Sequence, residues 1–215
     1  MKHLLSAVFV AAAAPLFAGS TIDPVNVELN NGAGTVSVTN VGSSAIGYEV
    51  RALDWSVASD GTDQLEGTEN LVVVPPLFRL APDQTMTLRL REVVPPSAAE
   101  NAYRLEITEE PPEIEGTGVG IQMQYLTSVF SSSGDFEAAV ECVKQPANEL
   151  LVRNTGGTRA RISEVLLDDT DITSDVSFSG RTLLANSSRV LSLPQGTVSD
   201  NVAVSGRGFG VIPCS

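Results

Sequence analysis

A single histidine, two lysines and two cysteines set narrow limits on the chemistry open to this chain of 215 residues. The histidine, His3, lies in MKHLLSAVFVAAAAPLFAGS, where Lys2 and His3 precede an apolar run from Leu4 to Ala14 and Ala18 offers a small residue for cleavage. That run is too short to cross a bilayer and reads as a cleaved secretory leader, residues 1–18. With the leader goes the only imidazole, and with it any Ser-His-Asp triad, His-activated thiol or His-containing zinc site. Paired carboxylates could still carry hydrolysis. The 26 acidic residues, however, are scattered over loops and polar strand faces, and none stands out as a pair. Cys142 and Cys214 are too few for a metal site and are not a close CxxC pair. In an oxidising compartment they read as one structural disulfide. DDTDITSD resembles a calcium loop but lacks the turn Gly and distal Glu, so it reads as a solvated acidic loop.

The charge balance is equally restrictive. Against 26 acidic residues stand 13 basic ones, a formal net charge of −13. Such a chain repels phosphate backbones and anionic headgroups, so nucleic acid is excluded as a partner and membrane insertion is not expected. No stretch after the leader is apolar and long enough to span a bilayer, which predicts a mature protein soluble outside the cytoplasm.

What remains is a series of short alternating runs. GTVSVTNVGSSAIGYEVRALDW reads as strand, turn, strand. TENLVVVPPLFRLAPDQTMTLRLREVV reads as a strand, a Pro-Pro break, a short strand, a turn at APDQ and a strand with Met86, Leu88 and Leu90 on one face. AYRLEIT repeats the alternation with Tyr103, Leu105 and Ile107. Evenly spaced strands of this kind predict an all-β chain of immunoglobulin-like sandwiches. Trp55, the only tryptophan, is expected in the first core. After SSSGD the pattern restarts, and ELLVRNTGGTRARISEVLLDD echoes TVSVTNVGSSAIGYEVRALDW. This predicts a first domain over residues 19–133 and a second over 134–215.

One run raises a question of its own. In GVGIQMQYLTSVF, residues 118–130, Val119, Ile121, Met123, Tyr125 and Val129 share one face, and Gln122, Gln124 and Ser128 the other. An acidic Pro-rich stretch precedes it and a polar one follows. An alternating strand ordinarily buries its apolar face in its own sandwich.

The pieces VSVTNVG, VRALDW, VVVPPLFRLAPDQTMTLRL, AYRLEITEEP and GIQMQYLTSVF, in that order, resemble the N-terminal domain of periplasmic pilus-assembly chaperones of the chaperone–usher pathway. The stretch PPLFRLAPDQ before a strand with LRL is the most specific. The YRL run and the late VF are closer to the archaic branch. The resemblance covers about Val25 to Phe130 well and the C-terminal part in outline. It implies two immunoglobulin-like sandwiches set as a boomerang, with no cofactor and no catalysis. It further implies that the chain holds fimbrial or spore-coat-U-like subunits and delivers them to an outer-membrane usher. Family members lend a subunit their last N-domain strand, which covers its open edge and apolar groove.

By position the lent residues are Val119, Ile121 and Met123, with Tyr125 at the margin. Non-archaic members anchor the subunit's carboxylate with two basic residues. Those positions fall here near Pro24 or Val25 and on Ser128, and none of these is basic. Arg104 is the expected substitute; a surface arginine paired with Glu106 or another carboxylate is its other reading. The alternative to a chaperone is a secreted structural protein, an immunoglobulin-like surface or pilus subunit. A pilin would carry a free N-terminal extension of alternating apolar residues, whereas GSTIDPVNVEL is short and interrupted by proline.

Overall fold

Residues 19–111, 121–132, 134, 136–197 and 201–215 are described by the structure, a computed structural model. The expected leader and Val119 lie outside them. Among the described residues no helix is long and apolar enough to cross a membrane.

Period-two alternation becomes a pair of sheets wherever one face has a core to meet. The first pair is built from β1 (Ser20–Asp23), β2 (Asn26–Leu29), β3 (Ala33–Asn40), β4 (Ile46–Val57), β5 (Asp63–Gly67), β6 (Leu71–Val74), β7 (Leu77–Leu80), β8 (Thr85–Glu92), β9 (Asn101–Glu109) and β10 (Gln124–Ser131). One sheet runs β1-β3-β8-β6, the other β2-β10-β9-β4-β5 with β7 also on β4. Val36, Val38, Leu88, Leu90, Tyr103, Leu105, Ile107 and Val129 fill the space between them. Burying each large apolar side chain contributes roughly 1.5–3 kcal/mol. The Pro-Pro break, entered through a cis Val74–Pro75 bond, moves the chain between sheets: β6 pairs with β8, and β7 with β4. Pro75 and Pro76 have no N–H to continue the ladder, so pairing stops there.

The second pair comprises β11 (Val140–Gln145), β12 (Glu149–Asn154), β13 (Ala160–Leu167), β14 (Thr170–Asp171), β15 (Ser177–Phe178), β16 (Thr182–Leu183), β17 (Ser187–Ser192), β18 (Val202–Arg207) and β19 (Phe209–Pro213). Its sheets run β11-β12-β17-β15 and β14-β13-β18-β19, with β16 on β13. Leu150, Val152, Ile162, Val165, Leu183, Leu191 and Val204 form its core, and the bonded Cys142 and Cys214 lie among them.

The echo between the two halves has a physical basis. Asn40 and Asn154 end corresponding strands, and both are fully buried. Each accepts from the glycine two residues on, Gly42 at 2.8 Å and Gly156 at 3.0 Å. Each donates to the carbonyl four residues on, Ser44 at 2.7 Å and Thr158 at 2.8 Å, and to a strand across the sandwich, at Leu80 and Leu183. An asparagine side chain in this role replaces the backbone partners that the turn removes.

Trp55 does not sit in the first core. It faces outward from β4 and packs with Phe130 and Leu184, in a small cluster shared by both sandwiches. The reason is parity: Ala52 and Asp54 pair with Leu105 and Tyr103, whose side chains point inward, so Leu53 and Trp55 point the other way. Its Nε1–H is buried without a hydrogen-bond partner among the described residues.

Candidate functional site

Strand β10 is held on one edge and partly open on the other. Along one side it pairs antiparallel with β9 from Gln124 to Ser131. On the other, β2 pairs in parallel only from Ser128 to Ser131. The edge from Gln124 to Thr127 therefore has no strand partner among the described residues.

Faces follow the alternation read from the sequence. Val129 is fully buried in the first core and Tyr125 packs against it. Ser128 and Phe130, on the opposite face, are buried at the seam between the sandwiches rather than exposed. N-terminal to the strand, Ile121 is 72% exposed and Met123 39% exposed. Both precede β10, which begins at Gln124, and Ile121 stands mostly clear of its own sandwich while Met123 is partly covered. Leu126, 47% exposed on the other face, was not singled out by sequence.

Buried carboxylates pin both ends of this segment. At its root Tyr125 donates to Glu109 Oε1 at 3.1 Å, Ser20 Oγ donates to the same oxygen at 2.6 Å, and the Ser20 N–H donates to the Tyr125 oxygen at 3.1 Å. The backbone of Glu109 also takes part: its N–H donates to the Met123 carbonyl, and its carbonyl accepts from Gln122 Nε2 at 2.8 Å. Burial raises the pKa of the Tyr125 hydroxyl and Glu109 adds to this, against a lowering by the Ser20 bonds. At the far end Ser131 donates to Glu92 Oε2 at 2.6 Å, while Tyr103 and Asn101 donate to Oε1. Burial, then the Glu92 hydrogen bond, raises the pKa of Tyr103.

Arg104 lies across the ladder from Ser128, and its Nη1 donates to Ser128 Oγ. Its guanidinium carbon stacks 3.7 Å from the centroid of the Trp55 ring. Burial lowers the pKa of Arg104, Asp63 opposes this and Arg189 adds to it. Glu106 is instead engaged by Arg51, at 3.6 Å. The Val25 carbonyl accepts from the Ser128 N–H at 3.1 Å. Ser128 and Val25 are thus hydrogen-bonded neighbours, and the Arg104 guanidinium reaches Ser128 from β9.

The second sandwich grips this region with two arginines. Arg189, 1% exposed, donates to the carbonyls of Thr182 and Gly61 and to Asp63. Arg159 bonds Glu100 and Glu28 and stacks on Phe130 with its carbon 3.7 Å from the ring centroid. Burial raises the pKa of Glu100, only partly offset by Arg159. That carboxyl therefore binds its proton more readily folded than unfolded. Its contribution favours the fold at low pH and is lost as pH rises through the raised value. Arg159→Ala, which strands a buried carboxylate, should consequently lower the melting temperature clearly more than Glu100→Gln, which removes the charge. Equal shifts in a calorimetric scan would count against this account.

Among the described residues no cluster of His, Cys, Asp or Glu is arranged to hold a metal. The acidic loop around Asp168 and Asp169 is turned by two positive φ angles, and Asp171 bonds Thr173 instead.

Residues 20–130 match the pili and flagellar-assembly chaperone family through its PapD N-terminal domain. No curated protein matches the chain by sequence. Among solved structures it is similar to a chain of the CsuC–CsuE chaperone–tip adhesion subunit pre-assembly complex from archaic Csu pili of Acinetobacter baumannii. That match has a TM-score of 0.68 at 20% identity and covers 92% of this chain and 98% of that one. A chain of the Salmonella enterica SafA pilin–SafB chaperone complex gives 0.67 at 17% identity, covering 93% and 97%. The E. coli chaperone DraB gives 0.62 at 19% identity, covering 91% and 95%. With a matched span that includes every strand of the first sandwich but the last residue of β10, the chain belongs to the family of pili and flagellar-assembly chaperones.

Proposed function

We propose that this protein is a periplasmic, non-enzymatic chaperone that holds a pilus or fimbrial subunit by donor-strand complementation and passes it to an outer-membrane usher. The observation that carries the reading is the segment entering β10: Ile121 and Met123 expose apolar side chains just before the strand, beside its open edge. A subunit with a missing strand offers the complement, an apolar groove flanked by unpaired N–H and C=O groups. Val119, Ile121 and Met123 are the donor residues in this reading. Tyr125, committed to Glu109 and the first core, is the root from which they project. Residues 1–18 are the cleaved leader, and the two domains are 19–133 and 134–215. Family membership favours this over a structural surface or pilus subunit.

Arg104 is the anchor for the subunit's carboxylate. Its charge stands beside Ser128, whose N–H meets the Val25 carbonyl, where the expected basic pair is lacking, and it is drawn from bulk water against Trp55. A charge-assisted bond of this kind contributes about 1.5–3 kcal/mol. The test is co-expression with a fimbrial subunit encoded alongside, followed by pull-down from periplasm. The wild-type chain should carry the subunit. Arg104→Ala should carry at least tenfold less while melting within a few degrees of wild type. If the wild-type chain recovers no subunit, the chaperone reading falls. If Arg104→Ala recovers as much as wild type, only the anchor assignment falls.

A further inference from the structure

One cation of the second sandwich is buried against the first. Arg189, on β17, reaches the β4–β5 hairpin, where it donates to the Gly61 carbonyl at 2.6 Å and to Asp63. Its Nε donates to the Thr182 carbonyl at 2.8 Å, so the guanidinium is fixed from both domains. Two glycines make room for it. A Cβ at Gly180 would stand 2.6 Å from the Arg189 guanidinium carbon, and one at Gly61 would stand 2.6 Å from Ser179 Oγ. Gly61 also has a φ of +84°, which side chains other than glycine rarely adopt. Asp63, with 39% of its side chain exposed, has no other ion pair among the described residues.

Asp63 shares a sheet face with the Arg104 anchor. Residues paired across a sheet point to the same side, as do alternate residues along a strand. Arg104 is paired with Leu53, and Asp63 with Val57. Trp55 lies midway between these two on β4, and the Arg104 guanidinium leans onto its ring. Arg104, Trp55 and Asp63 consequently form one row on the outward face of the sheet. Arg104 has no ion pair among the described residues. The charges acting on it are those of Asp63, which favours its charged form, and Arg189, which opposes it.

The electrostatics of this row therefore depends on the second domain. With Arg189 in place Asp63 is neutralised, and the row keeps the positive charge of Arg104. Without it Arg104 and Asp63 cancel, and a carboxylate brought to Arg104 meets a neighbouring carboxylate of like charge. We propose that Arg189 is a positioning residue for subunit capture: by holding Asp63, it keeps Arg104 available to the subunit's carboxylate. The second sandwich thus takes part in capture through charge as well as through the seam. A chain whose domains have parted loses this, although Arg104, Trp55 and Asp63 all stay on the first.

This inference deepens the chaperone reading and rests on the Arg104 anchor. Its test is co-expression of the full chain with the fimbrial subunit encoded alongside, pull-down from periplasm, and calorimetry of each variant. Arg189→Met, which keeps an apolar stem without the charge, should carry roughly tenfold less subunit. Asp63→Asn should carry at least as much as wild type, and the two substitutions combined should regain most of the loss. Both single variants break the ion pair and should melt below wild type. A purely structural latch makes both single variants lose subunit together and leaves the combined variant no better than Arg189→Met. That result overturns the proposal, as does a loss of subunit with Asp63→Asn alone. Should Arg189→Met fail to fold, Asp63→Asn decides by itself, since latch and charge predict opposite changes there. A wild-type chain without subunit removes the chaperone reading, and an unimpaired Arg104→Ala removes the anchor. Wild-type recovery with Arg189→Met beside an impaired Arg104→Ala removes only this inference.

Discussion

Ile121→Asp and Met123→Asp should each give a folded, secreted protein that no longer retains its subunit. In the free chain these side chains stand partly or largely in water, so a carboxylate there costs the fold little. In a subunit's groove the same carboxylate is buried without a partner. Breaking complementarity in this way costs about 3–5 kcal/mol, which corresponds to a loss of more than a hundredfold in affinity. Ile121→Asp, at the more exposed position, should leave the melting temperature closest to wild type. Gln124→Asp is the proper control, because Gln124 is exposed on the opposite face and makes only a 3.5 Å contact to Thr108. Gln122 is a poorer control, since its amide donates to the Glu109 carbonyl. Tyr125→Asp should behave differently from all of these and destabilise the chaperone itself, because it places a second carboxylate against Glu109. Circular dichroism of each variant and subunit recovery from periplasm distinguish the cases. Unfolding of Ile121→Asp on its own, or equal loss of the subunit with Gln124→Asp, would remove this segment from the donor role.

The difference between Tyr125 and Ile121 shows how far the sequence could be read. Both lie on the same face by alternation, and alternation alone cannot say where a sandwich ends. That limit is set by the opposite sheet, which supplies partners for Tyr125 but not for the residues before it. The strand sequence of the first half was legible because turn residues and period-two runs are local signals: APDQ, the Pro-Pro break and the Asn-x-Gly turns all stand where the chain turns. Trp55 was misplaced for the converse reason. A strand with apolar residues on both faces, as at Leu53 and Trp55, has a second surface to bury, and only the position of Leu184, far along the chain, reveals it. The place of Arg104 was hidden in the same way, because strand pairing sets it beside Ser128 and a serine gives no sign of that. Glu109 carries no local signature either, since its partners Ser20 and Tyr125 are remote in sequence.

Replacing Cys142 and Cys214 by alanine should chiefly melt the second domain. The bond closes a loop spanning 72 residues, and in the chain-entropy model such a loop restricts the unfolded state by about 4 kcal/mol. Geometry suggests why so much depends on one bond. β11 is an edge strand of one sheet and β19 an edge strand of the other. The cysteines join them, and the chain end is drawn along β11: the Lys144 N–H donates to the Ser215 carbonyl and the Ser215 N–H to the Cys142 carbonyl. Without the bond, sheet-to-sheet packing must hold that corner alone. The first domain has its own core and should remain folded, so one thermal transition should separate into two. Trp55 provides the readout, because it packs against Leu184 of the second domain while its own strand belongs to the first. Its emission should shift to the red in the earlier transition, when Leu184 leaves, before the first domain melts. Loss of Arg189 from Asp63 and of Arg159 from Glu100 accompanies that step and exposes the Arg104 side of the seam. Subunit retention should therefore fall together with the early tryptophan transition rather than with the later one. A single transition at the wild-type temperature in the double-alanine chain would show that the bond is dispensable and that the corner is held by packing.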